Sequence, residues 1–389
     1  MKPRTTLRIG LVGLIASGLT LMTAAPAWAD YAPQPGDVVG VGGDTSQFAL
    51  QFGADGDYLG DAGFNAAGAY NRLVTFNATA DANGRSAYAQ GSTEKNPVAL
   101  NPTDVLRAGT YPVQRVSSSG AALTALLADK GATEVINFIF SSSEPTSAQQ
   151  TTAGSNGWGY LHVVQIGKDS VEIAADDTTN APSGLSTAEL LGIYTGEYTT
   201  WNSLPGNSSG SGNTIIPLIP PSTSSIYKTF IADLKTANGG TAPTLAASVQ
   251  TVEQNDPTAV TGASSPADAI VPFSAARLNL WNDDYFHNPA TSFPGSSSPL
   301  SPGVSLLTAT APDASSAYSS PINDYIIFRQ SDASSTAAME PGGARNWVET
   351  LFSNPGGSEP FFEKSAGEAL IAASGVTPFY DDLGDVSSG

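Results

Sequence analysis

The chain has no cysteine and only two histidines, His162 and His287. Without a thiol there is no disulfide framework, no thiolate nucleophile and no cysteine to carry a lipid at a processing site. The two histidines stand in no metal-ligand spacing such as H-E-x-x-H, so each reads as a strand or surface residue rather than part of a zinc centre or triad. Charge is scarce at 13% of residues and lopsided, with 35 acidic against 16 basic side chains for a formal net charge of -19. So acidic a chain repels nucleic acid and anionic membrane, and neither is an expected partner. Any bound anion has to be held by local backbone N–H groups and hydroxyls, because the overall field opposes it. Long apolar runs are also missing: beyond the first thirty or so residues nothing approaches the roughly 20 apolar residues of a membrane span.

The N-terminus is built differently. Lys2, Arg4 and Arg8 precede an apolar stretch over residues 9–22, and Ala27-Trp28-Ala29 stands before Asp30. This is the pattern of a secretory signal peptide, with cleavage expected after Ala29. The competing reading, an uncleaved anchor, is weakened by Gly10, Gly13, Ser17 and Gly18, which interrupt the stretch. The expected product is secreted or wall-associated, not lipid-tethered, and monomeric. With about 360 residues left, one core is too few and two lobes are expected. Hydrophobic residues at 40% supply the cores, and 40 glycines with 27 prolines supply the turns.

Hydroxyl-rich turns recur along the chain. An apolar run at residues 38–43 leads into Asp44-Thr45-Ser46 and then Phe48, Leu50 and Phe52 at helical spacing. An extended segment at residues 111–115 leads into Ser117-Ser118-Ser119-Gly120 and a helical run, and residues 135–140 end in Ser141-Ser142-Ser143. Residues 214–219 precede Thr223-Ser224-Ser225 and a helical stretch from Tyr227 to Leu234. Strands ending in turns that open helices give an α/β fold, whose ligands sit beyond the strand ends where helix N-termini offer free N–H groups. Any single such turn is better read as an ordinary N-cap; only the set points to a polar cleft. Residues 185–201 read as a helix with Ser186 and Glu189 as a capping box.

The order of these segments resembles the phosphate-type substrate-binding proteins of ABC importers, in the form common among high-GC Gram-positive bacteria. The stretch from Leu185 to Glu197, followed by Thr200-Trp201-Asn202, is similar to that family's L-t-x-x-q-L-x-x-I-f-x-G-x-x-x-x-W-n helix. Gly42-Gly43-Asp44-Thr45-Ser46 resembles the first ligand turn, residues 115–122 the R-P-N-G-S-x-A-G turn, and Phe138 to Ser142 the F-a-R-S-S turn. Thr223-Ser224-Ser225-Ile226 stands where the family has G-S-G-T, and Ala267 to Ser274 resembles the strand returning to the first lobe. The resemblance implies an α/β, two-lobed periplasmic-binding-protein-like fold of type II, with two crossover strands and an interlobe cleft. It implies lobe 1 over residues 30–166 and 266–389, lobe 2 over 167–265, and crossings near 163–167 and 269–273. The ligand would be phosphate or a related small oxyanion, held by Thr45, Ser46, Ser119, Gly120, Ser141, Ser142, Ser224 and Ser225. An ABC permease would be the partner, with no cofactor, no metal and no catalysis.

The departures fall on charge. Phe140 replaces the arginine of F-a-R-S-S, and no arginine flanks Ser224 and Ser225. A guanidinium contact to an oxyanion contributes about 1.5–3 kcal/mol. Arg115 remains, placed before its turn. Phe140 and Tyr227 would then make an apolar wall for a less charged ligand, or block the cleft altogether. The second case gives the alternative, an extracellular wall or surface-interaction protein that keeps the fold without anion binding.

Other chemistry finds less support. S-x-x-K occurs at Ser225 to Lys228 and at Ser92 to Lys95, but Lys235-Thr236 is followed by Ala237 and no S-D-N exists, so a serine acyl-enzyme lacks its partners. Asp55, Asp57 and Asp61 fall short of a calcium loop. Asp283-Asp284 and Asp381-Asp382 read as surface charge, and Trp201, Trp158, Trp281 and Trp347 as core.

Overall fold

The computed structural model describes residues 32–67, 71–78, 86–87, 98–99, 103–116, 118–131, 134–283, 285, 302–308, 317–333 and 346–386. The expected signal segment, Ser92, Lys95, Asp284 and His287 lie outside the described residues.

The chain begins β1 (Val38–Gly42), α1 (Gln47–Asp55) and β2 (Leu73–Thr75). Two small ribbons follow, β3 (Ser86–Ala87) with β4 (Val98–Ala99) and β5 (Thr103–Asp104) with β6 (Val113–Gln114). Next come α2 (Ser119–Ala128), β7 (Phe138–Ser141), α3 (Ser147–Ser155) and the long β8 (Leu161–Asp176). The middle of the chain forms α4 (Thr187–Thr195), β9 (Ile216–Ile219), α5 (Ser225–Ala237), β10 (Gln250–Thr251), α6 (Thr258–Thr261), β11 (Ala269–Ser274) and α7 (Ala275–Asn282). Last are β12 (Val304–Leu306), β13 (Ser319–Arg329), α8 (Gln330–Ala333), α9 (Trp347–Leu351), α10 (Ser365–Ala373) and β14 (Thr377–Asp385).

The main sheet runs β10-β9-β11-β8-β13-β7-β1-β2, with β12 and β14 also paired to β8. Strand β8 is its spine: residues 161–172 pair antiparallel with β13, and residues 171–175 with β11. Helices cover both faces, so β1 reads Val-Val-Gly-Val-Gly and is buried throughout. Gly40 and Gly42 are needed there because a Cβ on either would overlap the Phe138 or Phe140 ring of the parallel neighbour β7. On one side Val38, Leu50, Phe138, Phe140, Val348 and Phe352 form a core, and on the other Val39, Val41, Leu123, Ile139 and Val163 form another. A separate core gathers Ile173, Leu190, Tyr194, Trp201, Ile226, Phe230 and Ile270. It also takes Leu307, Tyr318 and Ile322 from a late part of the chain.

Three expectations change. The helix read over residues 185–201 keeps its capping box, with Ser186 accepting from the Glu189 amide and Glu189 Oε2 accepting from the Ser186 amide at 2.8 Å. It ends at Thr195, because Gly196 adopts a left-handed φ of 84° that closes the C-terminus. Trp201 opens a separate 3-10 turn, fully buried, and its indole donates to Asp268 Oδ1 at 2.9 Å. The extended segment at residues 111–115 is not a strand of the main sheet. Among the described residues Val113 and Gln114 pair with β5, and both are exposed.

Asp382 is the third change, for it is not surface charge. His162 on β8 places Nδ1 2.6 Å from Gln330 Oε1 and Nε2 2.5 Å from Asp382 Oδ1, while Ser353 donates to Asp382 Oδ2 at 2.5 Å. An acceptor at each ring nitrogen calls for the doubly protonated imidazolium. Burial works against that charge, but the hydrogen bonds to Asp382 and Gln330 and the Asp382 charge outweigh it, and His162 is raised above its usual value. Asp382, against its own burial, is lowered by His162 and Ser353. A raised histidine pKa contributes stability that is complete below about 6.5 and lost as pH climbs through the folded-state value; the lowered Asp382 contributes stability that is lost in acid. The melting temperature is therefore expected to fall as the pH rises above about 6.5, and His162→Gln to flatten that slope. Parallel slopes in the two proteins would rule the pair out as its source. Trp158, Trp281 and Trp347 are all buried, as core residues.

Candidate functional site

Four turns carry the eight residues expected at the site. Thr45 and Ser46 link β1 to α1, Ser119 and Gly120 open α2, Ser141 and Ser142 close β7, and Ser224 and Ser225 cap and open α5. Ser118 caps α2 by accepting from the Ala121 amide, and Ser224 caps α5 by accepting from the Tyr227 amide, each at 3.3 Å. Small hydroxyl residues suit both positions because they satisfy amides that a helix start leaves open.

Five of the eight come together. Thr45 Oγ1 lies 3.1 Å from Ser225 Oγ, although their elements pack into different cores. Ser119 Oγ lies 3.3 Å from Ser142 Oγ and accepts from the Ser142 amide at 3.1 Å. Gly43 brings the first turn against the second, since a Cβ there would stand 2.9 Å from Ser119 Oγ. A Cβ on Gly120 would stand 3.7 Å from Lys228 Nζ, on the same helix as Ser225. The amides of Ser119, Gly120, Ser225 and Ile226 have no acceptor among the described residues. The starts of α2 and α5 thus approach each other at Gly120 and Lys228, each beside a pair of hydroxyls and open amides.

The hydroxyls of the remaining three serve the frame. Ser141 Oγ folds back on Ser143, donating to its carbonyl at 2.7 Å and accepting from its amide at 3.0 Å. Ser224 is occupied by its cap. Ser46 Oγ donates to Asp324 Oδ1 at 2.5 Å, and both residues are buried. Burial pushes the Asp324 carboxyl up to about 7; the Ser46 hydrogen bond opposes this and the Asp169 charge adds to it. Asp324 Oδ2 has no hydrogen-bond partner among the described residues.

Phe140 neither walls nor blocks the cleft. Its side chain is fully buried in the core beneath Gly42, because the strand pleat sends Phe138 and Phe140 to the face opposite Ile139. Tyr227 packs against the core of Tyr194, Ile226 and Phe230. Arg115 is structural: its guanidinium pairs with Asp104 at 2.6 Å and donates to the Asn77 carbonyl at 2.9 Å, with both charges buried. Ser225 meets Thr45, while Lys228 reaches Gly120, so the S-x-x-K pair is divided between two neighbours.

Sequence reasoning missed the frame behind the first turn. Asp44 is buried and accepts from Gln254 Nε2 at 3.0 Å, Asn255 Nδ2 at 2.7 Å and Arg277 Nη2 at 2.9 Å. The Arg277 guanidinium also lies 4.5 Å from the centre of the Phe48 ring. Asn255 in turn accepts from the Ser274 amide at 3.0 Å, and Ser274 Oγ donates to buried Asp169 at 2.5 Å. Only Asp44, inside a turn already singled out, offered a sequence signal. Among the described residues no group of three or more His, Asp and Glu is placed to hold a metal ion, and no helix is long and apolar enough to cross a membrane.

Residues 75–344 match the profile of the PBP superfamily domain. A solved structure assigned as a phosphate ABC transporter substrate-binding protein with bound phosphate, from Clostridium perfringens, covers 88% of this chain and 99% of its own at 11% identity, with a TM-score of 0.50. An ABC-type phosphate transport receptor from Vibrio cholerae aligns at 12% identity over 88% and 99% of the two chains, with a TM-score of 0.47. A high-affinity periplasmic phosphate-binding protein, PfluDING, solved with phosphate, aligns at 15% identity over 88% and 90%, with a TM-score of 0.49. No curated protein matches the chain. At such identities the Clostridium structure is a likeness of fold, a two-lobed α/β binding protein.

Proposed function

The chain belongs to the PBP superfamily, and on that premise we propose that it captures phosphate or a related small oxyanion between its lobes and delivers it to an ABC permease. The observation that carries this reading is the meeting of Thr45 with Ser225 and of Ser119 with Ser142, beside helix-start amides that lack acceptors. Such a set offers hydrogen-bond donors with no carboxylate among them, which is what an oxyanion requires of an acidic protein. The Clostridium perfringens protein of similar fold was solved with phosphate bound. The burial of Phe140 supports this reading over a surface-interaction protein with a blocked cleft.

Ser119, Gly120, Ser142, Thr45 and Ser225 contact the ligand, and Ser46, Ser141 and Ser224 hold the turns. Lobe 1 comprises residues 30–166 and 266–389, and lobe 2 residues 167–265, with Leu307, Tyr318 and Ile322 contributed to the core of lobe 2 from later in the chain. Closing of the lobes on the ligand is the working motion. The protein acts as a monomer, without catalysis or cofactor. Export through the signal segment places it outside the cell membrane, free or at the wall.

Thermal shift with phosphate tests the proposal. Phosphate is expected to raise the melting temperature of the wild type, and Ser119→Ala to weaken binding about tenfold by removing one hydrogen bond to a charged ligand. An unchanged affinity in Ser119→Ala would remove the second turn from the site.

A further inference from the structure

Resting on the oxyanion reading and the lobes proposed above, we propose that Asp324 is a proton latch where two strands cross between the lobes: the arrangement that brings Thr45 to Ser225 keeps Asp324 protonated, and loss of that proton favours opened lobes and weaker anion binding.

The case begins with where this carboxyl is. Strand β8 contributes Val163, Val164 and Ile166 to the cores around β1 and β7, and Val171 and Ile173 to the core of Tyr194 and Phe230. Strand β13 makes the same passage in reverse, from Ile322 in the core of Tyr194 to Tyr325 and Ile326 in the other two. Between these cores lie residues 167–170 of β8 and Asn323 and Asp324 of β13, with Gly167 paired to Asp324 and Asp169 to Ile322. The pairing register shifts between Asp324 and Tyr325, so the ladder is irregular at this point. A rotation of one lobe against the other has to be absorbed in such a stretch.

Two carboxyls are buried here with unequal support. Asp169 accepts from the Ser274 hydroxyl at 2.5 Å and from the amides of Ser170 and Ala276 at 2.7 and 2.8 Å. Asp324 accepts from the Ser46 hydroxyl at 2.5 Å, and its Oδ2 has no partner among the described residues. Donors favour an ionised carboxylate, and neighbouring like charges oppose each other's ionisation, so the pair keeps its proton at Asp324. Among the described residues no cation forms an ion pair with Asp324. Arg277 of α7 pairs with Asp44 and acts on Asp169, and Lys168 of β8 sets its ammonium 3.3 Å from the centre of the Phe379 ring. Tyr325, next along β13, is engaged with Asn323 and Glu144. Burial, with the Asp169 charge adding to it, thus holds the Asp324 carboxyl up at about 7.

The link to the ligand runs through one turn. Ser46 follows Thr45, and Thr45 meets Ser225 of α5. Bending at the crossing admits water to Oδ2, and a hydrated aspartate ionises near its ordinary value of about 3.9. Closing therefore takes up a proton between about pH 4 and about pH 7, and in that window each rise in pH works against it. Above about 7 both arrangements are ionised and the effect levels off.

Calorimetric titration of the full chain with sulfate and with phosphate, from about pH 5 to about pH 8.5, tests the latch. Sulfate keeps one charge state over this range, and the titration of phosphate itself is common to every variant. In parallel, the distance between the lobes is read without ligand from spin labels on Thr151→Cys and Ala237→Cys, two exposed residues in a chain with no cysteine of its own. The wild type is expected to lose about tenfold or more in affinity between pH 5 and pH 7 and then to level off, with the open population rising in step. Asp324→Asn keeps an acceptor for Ser46 and cannot ionise, so it should show no such slope in either measurement. Ser46→Ala removes the hydrogen bond that favours the ionised carboxylate and should move the levelling-off to higher pH. That shift decides the matter if Asp324→Asn does not fold, and its absence would then overturn the latch. A level affinity in the wild type, an equal slope in Asp324→Asn, or a distance that does not follow pH would overturn the latch and leave the oxyanion reading standing. A wild type that binds neither anion would overturn the oxyanion reading, and the distance alone then decides the latch.

Discussion

Phe140→Arg, the change that writes the family's arginine back into the third turn, is expected to unfold the protein instead of strengthening its anion site. Phe140 is fully buried among Val38, Leu50, Phe138 and Phe352, and its ring fills the space that Gly42 leaves on β1. Truncating a buried phenylalanine alone costs about 3–5 kcal/mol. An arginine at this position would add a guanidinium facing apolar side chains, and an uncompensated buried charge costs several kcal/mol more. Together these approach or exceed the roughly 5–15 kcal/mol that holds a domain folded. Loss of the near-ultraviolet circular dichroism signal, or expression only as aggregate, is the expected outcome. A folded Phe140→Arg variant that binds phosphate more tightly would place this side chain in the cleft and contradict the register of β7.

Asp44→Ala comes next in size, at about 3–5 kcal/mol, the usual consequence of removing one partner of a buried ion pair. Asp44 and Arg277 are 2% and 5% exposed, so little solvent is available to take over the carboxylate's role. The same carboxylate accepts from Gln254 and Asn255, which follow β10, and so ties that segment to the turn holding Thr45. Urea denaturation should therefore show the stability loss, and phosphate affinity should fall with it although Asp44 makes no contact with the ligand. Asp44→Asn retains the shape and loses the charge, and should fall between Asp44→Ala and the wild type. Equal midpoints for wild type and Asp44→Ala would show that the buried pair contributes nothing.

What could be read in the sequence, and what could not, divides by range. Turn chemistry is local, so Ser118, Ser224 and the Ser186–Glu189 box were visible as helix starts, and β1, β7, β9 and β11 as short apolar runs. Trp201 was legible as core from its large apolar ring, and it packs with Leu190, Ile193 and Tyr194 although it lies outside their helix. The frame of the site is long-range: Asp44 pairs with Arg277 across 233 residues, Ser46 with Asp324 across 278 and His162 with Asp382 across 220. No spacing rule reaches that far. Phe140 was misplaced because a motif alignment fixes a position along a strand, while the pleat decides which face the side chain takes. The segment at residues 111–115 looked like its neighbours in composition, and only the absence of an apolar layer against it kept it out of the sheet. Lys228 was in view as half of an S-x-x-K pair, yet its approach to Gly120 depends on how the two lobes meet.

Equilibrium binding of inorganic phosphate to the folded wild-type chain, followed by calorimetry beside sulfate and a phosphonate, is the most direct test of a cleft built for a small oxyanion. The expected result is saturable binding of one phosphate per chain, accompanied by a rise in melting temperature that grows with ligand concentration. A folded protein that takes up none of these anions would contradict it.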